Sequence, residues 1–591
     1  MSRLALLLAT LLAAIAVAAT AASAAVQPPT AQATVTGYGG GAATVDPYAT
    51  RAAIRVLRKG GNAVDAAIAA AGVLGVVEPY SSGIGGGGFM VIRSRDGSID
   101  TIDGREFAPA AFTPTSFQEN GTPIPFTEAV TSGLGVGVPG TLATWQTALQ
   151  RHGTMSLKKL LEPGIEIAAK GFVVDRTLQQ QTQDNAARFA DFPDTANIYL
   201  PHGQPIQAGT VLQNPDLADT YRLIAKKGIG AFYGGPLAGE VADTVQHPKT
   251  APGTTRTVRP GLMTADDLAA YRAKVRPPVR TDWRGYTVAG MGPPSSGGTT
   301  VEEALNILQA FGAPASDGAG ELFRYLEASR LAYADRNQYV GDPDFVHVPT
   351  DCLISQEFAD TRQALIGATA LTSPVAPGDC GPAAGSASLH EGPNTTNMTV
   401  ADGKGNVVEY TFTIEQTGGS GMVVPGRGFL LNNELTDFEF TTGKANSPAA
   451  RKRPRSSIAP TIVLKDGKPV LALGSPGGAS IITTVLQILT DRFERGMALP
   501  DAVADPRISQ RNAAQTEAEQ AFLDGPLRAP LEARGESFKL VPPPAIAPDS
   551  TGPRELGAAT AIEFLGGGKL QVAAEPVRRG GGAAGVVTTR K

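Results

Sequence analysis

Cysteine is nearly absent: Cys352 and Cys380 are the only two in 591 residues, and they form no Cys-x-x-Cys pair. Neither lies beside a recognisable base motif, which argues against a thiol nucleophile. In a secreted chain the two are expected to form a disulfide that closes a loop. Histidine is almost as scarce. His152, His202, His247, His347 and His390 are dispersed without metal-ligand spacing, so no metal site is expected. No HExxH or GxSxG pattern occurs, and the usual histidine-dependent triad has no home. The net charge is only −4, from 51 basic and 55 acidic residues, which provides no footprint for nucleic acid. Beyond the first 25 residues no apolar run is long enough to cross a bilayer. Internal repeats are missing too.

What is plentiful is glycine (70) and proline (45), and hydrophobic residues make up 42%, as in a folded protein rich in turns. Residues 1–25 read as a secretory leader. Arg3 gives the positive start, Leu4 to Ala18 the apolar stretch and Ala22-Ser23-Ala24 the small-residue cleavage site. Its removal would leave a secreted or periplasmic chain without a membrane segment; a retained N-terminal anchor is the alternative. Asn62 is placed to cap a helix from Ala63 to Gly75. Phe89–Ile92 and Ile99–Ile102 read as paired strands. The glycine run at 82–88 superficially resembles a phosphate-binding loop, but no Lys-Ser/Thr pair follows and the next segment is strand-like. Helical patterns cover 142–150, 156–170, much of 210–245, 301–311 and 321–337, and a second hairpin cluster spans 397–473. Hairpins in two clusters, with helices before, between and after, predict an α/β protein of the α+β type. The expected form is a layered sandwich folded as one unit.

The stretch hardest to account for is Asn394-Thr395-Thr396, directly before the alternating run Asn397–Val400, the turn at 402–406 and a second run to Ile414. Paired threonines suit strands on propensity alone. The alternative is chemical. Cleavage before Thr395 would free an N-terminal threonine whose own amine can act as base for its hydroxyl. The segment 369–393, rich in Gly, Pro, Ser and Ala, fits a self-processing junction and an ordinary linker equally well. Gly477-Gly478, between a strand and a helix, fits an oxyanion-binding turn and a plain turn alike. The residues alone leave these alternatives open.

Several ordered blocks narrow them: GGNAVDAA at 60–67, VVEPYSSGIGGGGFM at 76–90, DGREFAP at 103–109, NTT at 394–396, GFLLNNELTDF at 428–438, RPRSSIAPT at 453–461 and GSPGGASIITTVLQ at 474–487. Together they resemble the γ-glutamyltransferases (γ-glutamyltranspeptidases) of the N-terminal-nucleophile hydrolase superfamily, over nearly the whole mature chain. The resemblance implies a four-layer αββα fold without cofactor. It also implies a proenzyme that cuts itself between Asn394 and Thr395 into associated large (26–394) and small (395–591) chains. By the same resemblance Thr395 is the nucleophile, Thr413 assists processing and orients it, and Gly477 and Gly478 form the oxyanion hole. Arg105, Ser456 and Ser457 would grip the α-carboxylate of a γ-glutamyl group, and Glu434 and Asp437 would face its α-ammonium. Asn432 and Asn433 belong to the same block with roles not separable. Implied donors are γ-glutamyl compounds such as glutathione; implied acceptors are water, amino acids and short peptides.

The chain departs from this family pattern in three places. Asn397 stands where a histidine is usual. Glu415 stands where many members have asparagine, adding a third acid beside the ammonium site. Residues 439–452 are short and lack an aromatic lid, from which an open pocket admitting bulkier donors and water is expected. Alternatives on the same fold are an acylase or a poly-γ-glutamate transferase or hydrolase. Outside it stands a non-catalytic extracellular binding protein.

Overall fold

The computed structural model describes residues 26–590 except 383–384, 386–391 and 393. The expected leader at 1–25 and His390 lie outside the described residues. The chain starts with strand β1 (Thr34–Thr44), then α1 (Pro47–Arg58) and α2 (Ala63–Val77). Asp46 caps α1 by accepting from the Tyr48 amide (2.7 Å), with Pro47 in the first turn. Asn62 and Asp65 form a reciprocal capping box on α2. That helix is buried along its whole length, which its Ala and Gly content permits.

Twelve further strands join β1 in one hydrogen-bonded network. They are β2 (Gly87–Arg93), β3 (Ile99–Asp103), β4 (Lys274–Arg276), β5 (Val279–Trp283), β6 (Tyr286–Gly290), β7 (Thr396–Asp402), β8 (Val407–Thr413), β9 (Thr461–Lys465), β10 (Lys468–Gly474), β11 (Thr560–Phe564), β12 (Lys569–Ala574) and β13 (Ala583–Thr588). Their order is β4-β3-β2-β8-β7-β1-β12-β11-β10-β9-β6-β5, with β13 pairing β1. The two hairpin clusters anticipated from sequence are thus one network: β8 pairs β2 from Val407 opposite Arg93 to Thr413 opposite Gly87.

β1 makes the network into two layers. Its first half pairs β12 and its second half pairs β7. Between them Gly39 and Gly40 take φ of 77° and 118°, the conformation that lets the strand turn from one layer to the other. β7 and β8 then stack on β10 and β11. Alternation divides their side chains. Met398, Val400, Val408, Tyr410 and Phe412 enter a core with α1 and α2. Asn397 and Thr399 face the opposite layer, where both hydrogen-bond Thr560 of β11 at 2.8 Å. A second core packs the far layer against α3 (Gly297–Gln309), α4 (Gly318–Tyr339) and α5 (Ser480–Phe493). Helix, sheet, sheet, helix is the expected α+β sandwich.

Cys352 and Cys380 are joined as a disulfide, with Cα atoms 5.9 Å apart and a sequence separation of 28. Restraining a loop of that length typically contributes about 3 kcal/mol by limiting the unfolded chain. The double Cys→Ser variant is therefore expected to unfold at lower denaturant concentration by about that amount. An unchanged midpoint in urea would refute it.

Candidate active site

The pairing of β7 with β8 sets Thr396 opposite Phe412, so Thr395 and Thr413 meet across the open end of the ladder. Both are buried. The peptide bond between Asn394 and Thr395 is intact, and its carbonyl oxygen accepts from Thr395 Oγ1 (2.7 Å) and Thr413 Oγ1 (3.0 Å). The hydroxyl oxygens are 3.4 Å apart. The Glu415 amide donates to Thr413 Oγ1 (2.8 Å), fixing that hydroxyl so that its proton points at the scissile carbonyl.

Arg579, in the turn before β13, contacts the Asn394-Thr395 dipeptide, which sequence reasoning missed. Its Nη1 donates to the Thr395 carbonyl (2.7 Å) and its Nη2 to Asn394 Oδ1 (2.5 Å). Ser81 Oγ donates to the same Oδ1 (3.1 Å), and Asn394 Nδ2 donates to the Tyr80 carbonyl (3.0 Å). The dipeptide is clamped on both sides of the bond. Burial pulls the Arg579 pKa down, opposed by the nearby Glu78 and Glu555. Glu78 itself is pushed up to about 8 by burial, with Asp175 and Asp46 adding. An Arg-Arg pair before glycines looks like surface sequence, and 185 residues separate Arg579 from Asn394, so no motif could reveal the contact. Arg579→Gln removes charge-assisted hydrogen bonds and is expected to slow fragment appearance about 10- to 100-fold. Time-resolved denaturing gels measure this; an unchanged rate would remove the residue from the site.

Arg105, expected to grip a carboxylate, and Glu434 and Asp437, expected to face an ammonium, are also brought together, as partners of one another. Arg105 is ion-paired with both Glu434 and Asp437, and donates further to the carbonyls of Pro454 (3.2 Å) and Arg455 (2.8 Å). Burial alone would lower its pKa, but Glu434, Asp437 and Glu106 outweigh burial and hold it above the ordinary arginine value. Glu415 completes a three-acid group. Burial, then Asp437 and Glu434, raise its pKa well above the usual carboxyl range. It takes a φ of 79° and accepts from Gln416 Nε2 (2.9 Å). The Arg105 guanidinium thus sits among more buried acids than it pairs.

Asn432 and Asn433, indistinguishable in sequence, separate here. Asn432 makes four hydrogen bonds: to the Gly85 and Gly137 carbonyls, and from the Gly137 and Glu434 amides. That exhausts an asparagine side chain. Asn433 accepts from the Gln416 amide (3.1 Å), while its buried Nδ2 has no protein partner among the described residues.

Ser456 and Ser457 lie on an extended segment fastened to the turn before α3. Ser456 donates its amide to the Pro294 carbonyl (3.0 Å), and its own carbonyl accepts from the Ser296 amide and hydroxyl (2.7 Å each). Ser457 Oγ accepts from Arg336 (2.7 Å). Gly477 and Gly478 follow β10 with φ of 136° and 55°, and the Gly477 and Gly478 carbonyls start α5 by accepting from the Ser480 and Ile481 amides. Asn397, at the histidine position, bridges Glu409 (2.7 Å) and Thr560 between the layers.

The short segment 439–452 is fastened locally. Asn446 donates to the Asp437 carbonyl (2.6 Å), Lys452 Nζ to the carbonyls of Ala445 and Ser447, and Phe440 stacks on Phe117 at 4.2 Å. Open space lies on another side, in a cleft of about 690 Å³ lined by Asn394, Gln416, Gly477, Ser480, Arg579 and the proline run 542–544.

Among the described residues no cluster of His, Cys, Asp or Glu is arranged to hold a metal, and no helix is long and apolar enough to cross a membrane. The "Glutathione hydrolase proenzyme" of Bacillus subtilis strain 168 is 44% identical over 487 residues, covering 80% of this chain and 81% of its own. The "Acylase ACY 1 proenzyme" of Pseudomonas sp. strain V22 is 36% identical, with 91% and 92% covered. The crystal structure of a cephalosporin acylase from Bacillus halodurans superposes with a TM-score of 0.81 at 28% identity, over 96% of this chain and 99% of that one. A sequence profile described as "Gamma-glutamyltranspeptidase" matches residues 49–586. With a match of that extent, the chain belongs to the gamma-glutamyltranspeptidase family.

Proposed function

We propose that the protein is a self-processing γ-glutamyltransferase and glutathione hydrolase. The observation that carries the reading is the pair of threonine hydroxyls on the Asn394 carbonyl oxygen, at 2.7 and 3.0 Å. Thr395 Oγ1 attacks the Asn394 carbonyl carbon while Thr413 stabilises the charge growing on its oxygen. The C–N bond breaks, the Thr395 nitrogen takes the proton, and an ester remains on Oγ1. Water hydrolyses that ester, ending a large chain at Asn394 and starting a small chain with Thr395. The freed α-amine, ordinarily with a pKa of about 7.7–8.0, then serves Oγ1 as base.

In turnover Thr395 Oγ1 attacks the γ-carbonyl of the donor, the leaving amine carries off the proton, and water or an amine acceptor receives the acyl group. Gly477 and Gly478 supply the oxyanion donors. Ser456, Ser457 and Asn433 bind the α-amino-acid end, with the three acids around Arg105 taking its ammonium. Secretion or periplasmic placement rests on the leader at 1–25. A second reading, an acylase for larger amides, is favoured by the roomy cleft and by the acylase relatives. Comparing a γ-glutamyl anilide with a glutaryl anilide, with and without a dipeptide acceptor, separates the two. Faster release from the γ-glutamyl anilide, increased by acceptor, is expected. Preference for the glutaryl compound, which has no ammonium, would overturn the reading.

A further inference from the structure

The cleft of about 690 Å³ is lined by Asn394, Gly477 and Ser480 but by none of Arg105, Glu434, Asp437, Ser456 and Ser457. It therefore receives the other side of the bond to be broken, the amine that leaves. We propose that Arg176, on the wall of this cleft, selects leaving amines that carry a carboxylate. The inference rests on the γ-glutamyl reading above and extends it from the acyl group to its partner.

Arg176 begins the helix Arg176–Ala190, whose capping residue Asp175 accepts from the Leu178 amide (2.7 Å). Successive turns of that helix set Arg176, Gln180 and Asp184 in one row along the cleft. Its first turn is packed close to the scissile dipeptide. A Cβ at Gly580 would come within 3.0 Å of Thr177 Oγ1, and Gly580 follows Arg579, whose Nη2 holds Asn394 Oδ1 (2.5 Å). The proline run 542–544 lines the same cleft. Its loop is fastened to the helix by Ser550 Oγ, which donates to Asp184 Oδ2 (2.8 Å), and is braced by Arg554, which donates to the Ser550 carbonyl (2.7 Å). An apolar wall thus adjoins the polar row that starts at Arg176.

The acids lining the cleft are already engaged. Asp184 accepts from Gln180 Nε2 (2.9 Å) as well as from Ser550. Glu517 pairs with Arg511 (2.5 Å) and Lys539 (3.4 Å), and Glu555 accepts from the Arg579 amide (2.8 Å). Arg176 is exposed and has no hydrogen-bond or ion-pair partner among the described residues. An unpaired guanidinium in a cleft whose acids are taken is complementary to an anion, and its planar fork suits a carboxylate. The matching partner is an amine with a free carboxylate, as in an amino acid or a peptide. By microscopic reversibility an acceptor amine enters along the path by which the leaving amine departs, so the same contact serves both.

The test uses γ-glutamyl 4-nitroanilide and γ-glutamyl 3-carboxy-4-nitroanilide with the processed enzyme. Both form the same ester on Thr395, so their ratio of kcat/KM reports the leaving side alone, and their intrinsic reactivities cancel when native and variant ratios are compared. Arg176→Gln is expected to lower the preference for the carboxylated donor about 3- to 10-fold, a modest factor because the guanidinium is exposed. Arg176→Glu should lower it further, and added salt should shrink both differences. With the plain anilide as donor, Arg176→Gln should weaken glycylglycine relative to glycylglycinamide as acceptor by a similar factor. Ratios that stay at the native value in both variants would overturn the proposal. Glutaryl versions of the two anilides keep it apart from the reading it rests on. Release from the glutaryl pair alone would overturn the γ-glutamyl reading, and the carboxylate ratio measured on that pair would still decide the role of Arg176.

Discussion

Replacing Thr395 by alanine is expected to leave the chain in one piece and to lower turnover of a γ-glutamyl anilide at least about 10,000-fold. The loss has two origins, which serine separates. Alanine removes the hydroxyl whose oxygen lies 2.7 Å from the scissile carbonyl oxygen, with Thr413 bonded to the same atom. It removes the acyl acceptor of the later reaction as well. Thr395→Ser keeps a hydroxyl and should cut, more slowly, because without the γ-methyl the side chain is free to leave the rotamer that meets Asn394. Thr413→Ala retains the nucleophile but strips the scissile carbonyl of its second donor, and should delay the cut about 100-fold. Intact mass before and after incubation, with assays on the separated species, checks each step. Cutting at the native rate in Thr395→Ala would displace the nucleophile from this position.

How much of this was legible before the structure depends on the range of the interaction. The β7–β8 hairpin is written locally: Asp402 Oδ1 accepts from the Lys404 and Asn406 amides, and Gly405 supplies a φ of 92°. Alternation on either side does the rest. Thr395 and the glycine pair were reachable because they sit in recognisable blocks, and Thr413 because the family resemblance implies it. The division of β1 between two layers was not, because each half looks like ordinary strand and only its partners, β12 and β7, distinguish them. Arg579 and Arg336 escaped for a related reason. Each meets its target from a remote segment, and an isolated arginine carries no sign of which hydroxyl or carbonyl it will meet. The roles of Asn432 and Asn433 differ only by which backbone groups surround two identical side chains.

The charge balance around Arg105 leads to the second large effect. Arg105→Gln leaves Glu434, Asp437 and Glu415 buried together without the guanidinium that pairs two of them. Breaking a buried ion pair from one side typically costs about 3–5 kcal/mol, and that much loss of unfolding free energy is expected at pH 8. The sign of the pH dependence follows from proton uptake. Carboxyls held in a cation-free cluster have folded pKa values above their unfolded ones, as burial and its acid neighbours already impose on Glu415. Such groups take up protons on folding, so their destabilisation grows as pH rises and shrinks as it falls. The gap between native and variant in urea unfolding should therefore narrow from pH 8 to pH 5.5. Function should not recover with stability. Protonated acids no longer attract an ammonium, and kcat/KM for γ-glutamyl donors should stay about 100- to 1,000-fold down at both pH values. A variant whose stability gap is the same at both pH values would mean that the three acids do not share the charge of Arg105. One that regains γ-glutamyl turnover at pH 5.5 would mean that the ammonium is bound elsewhere.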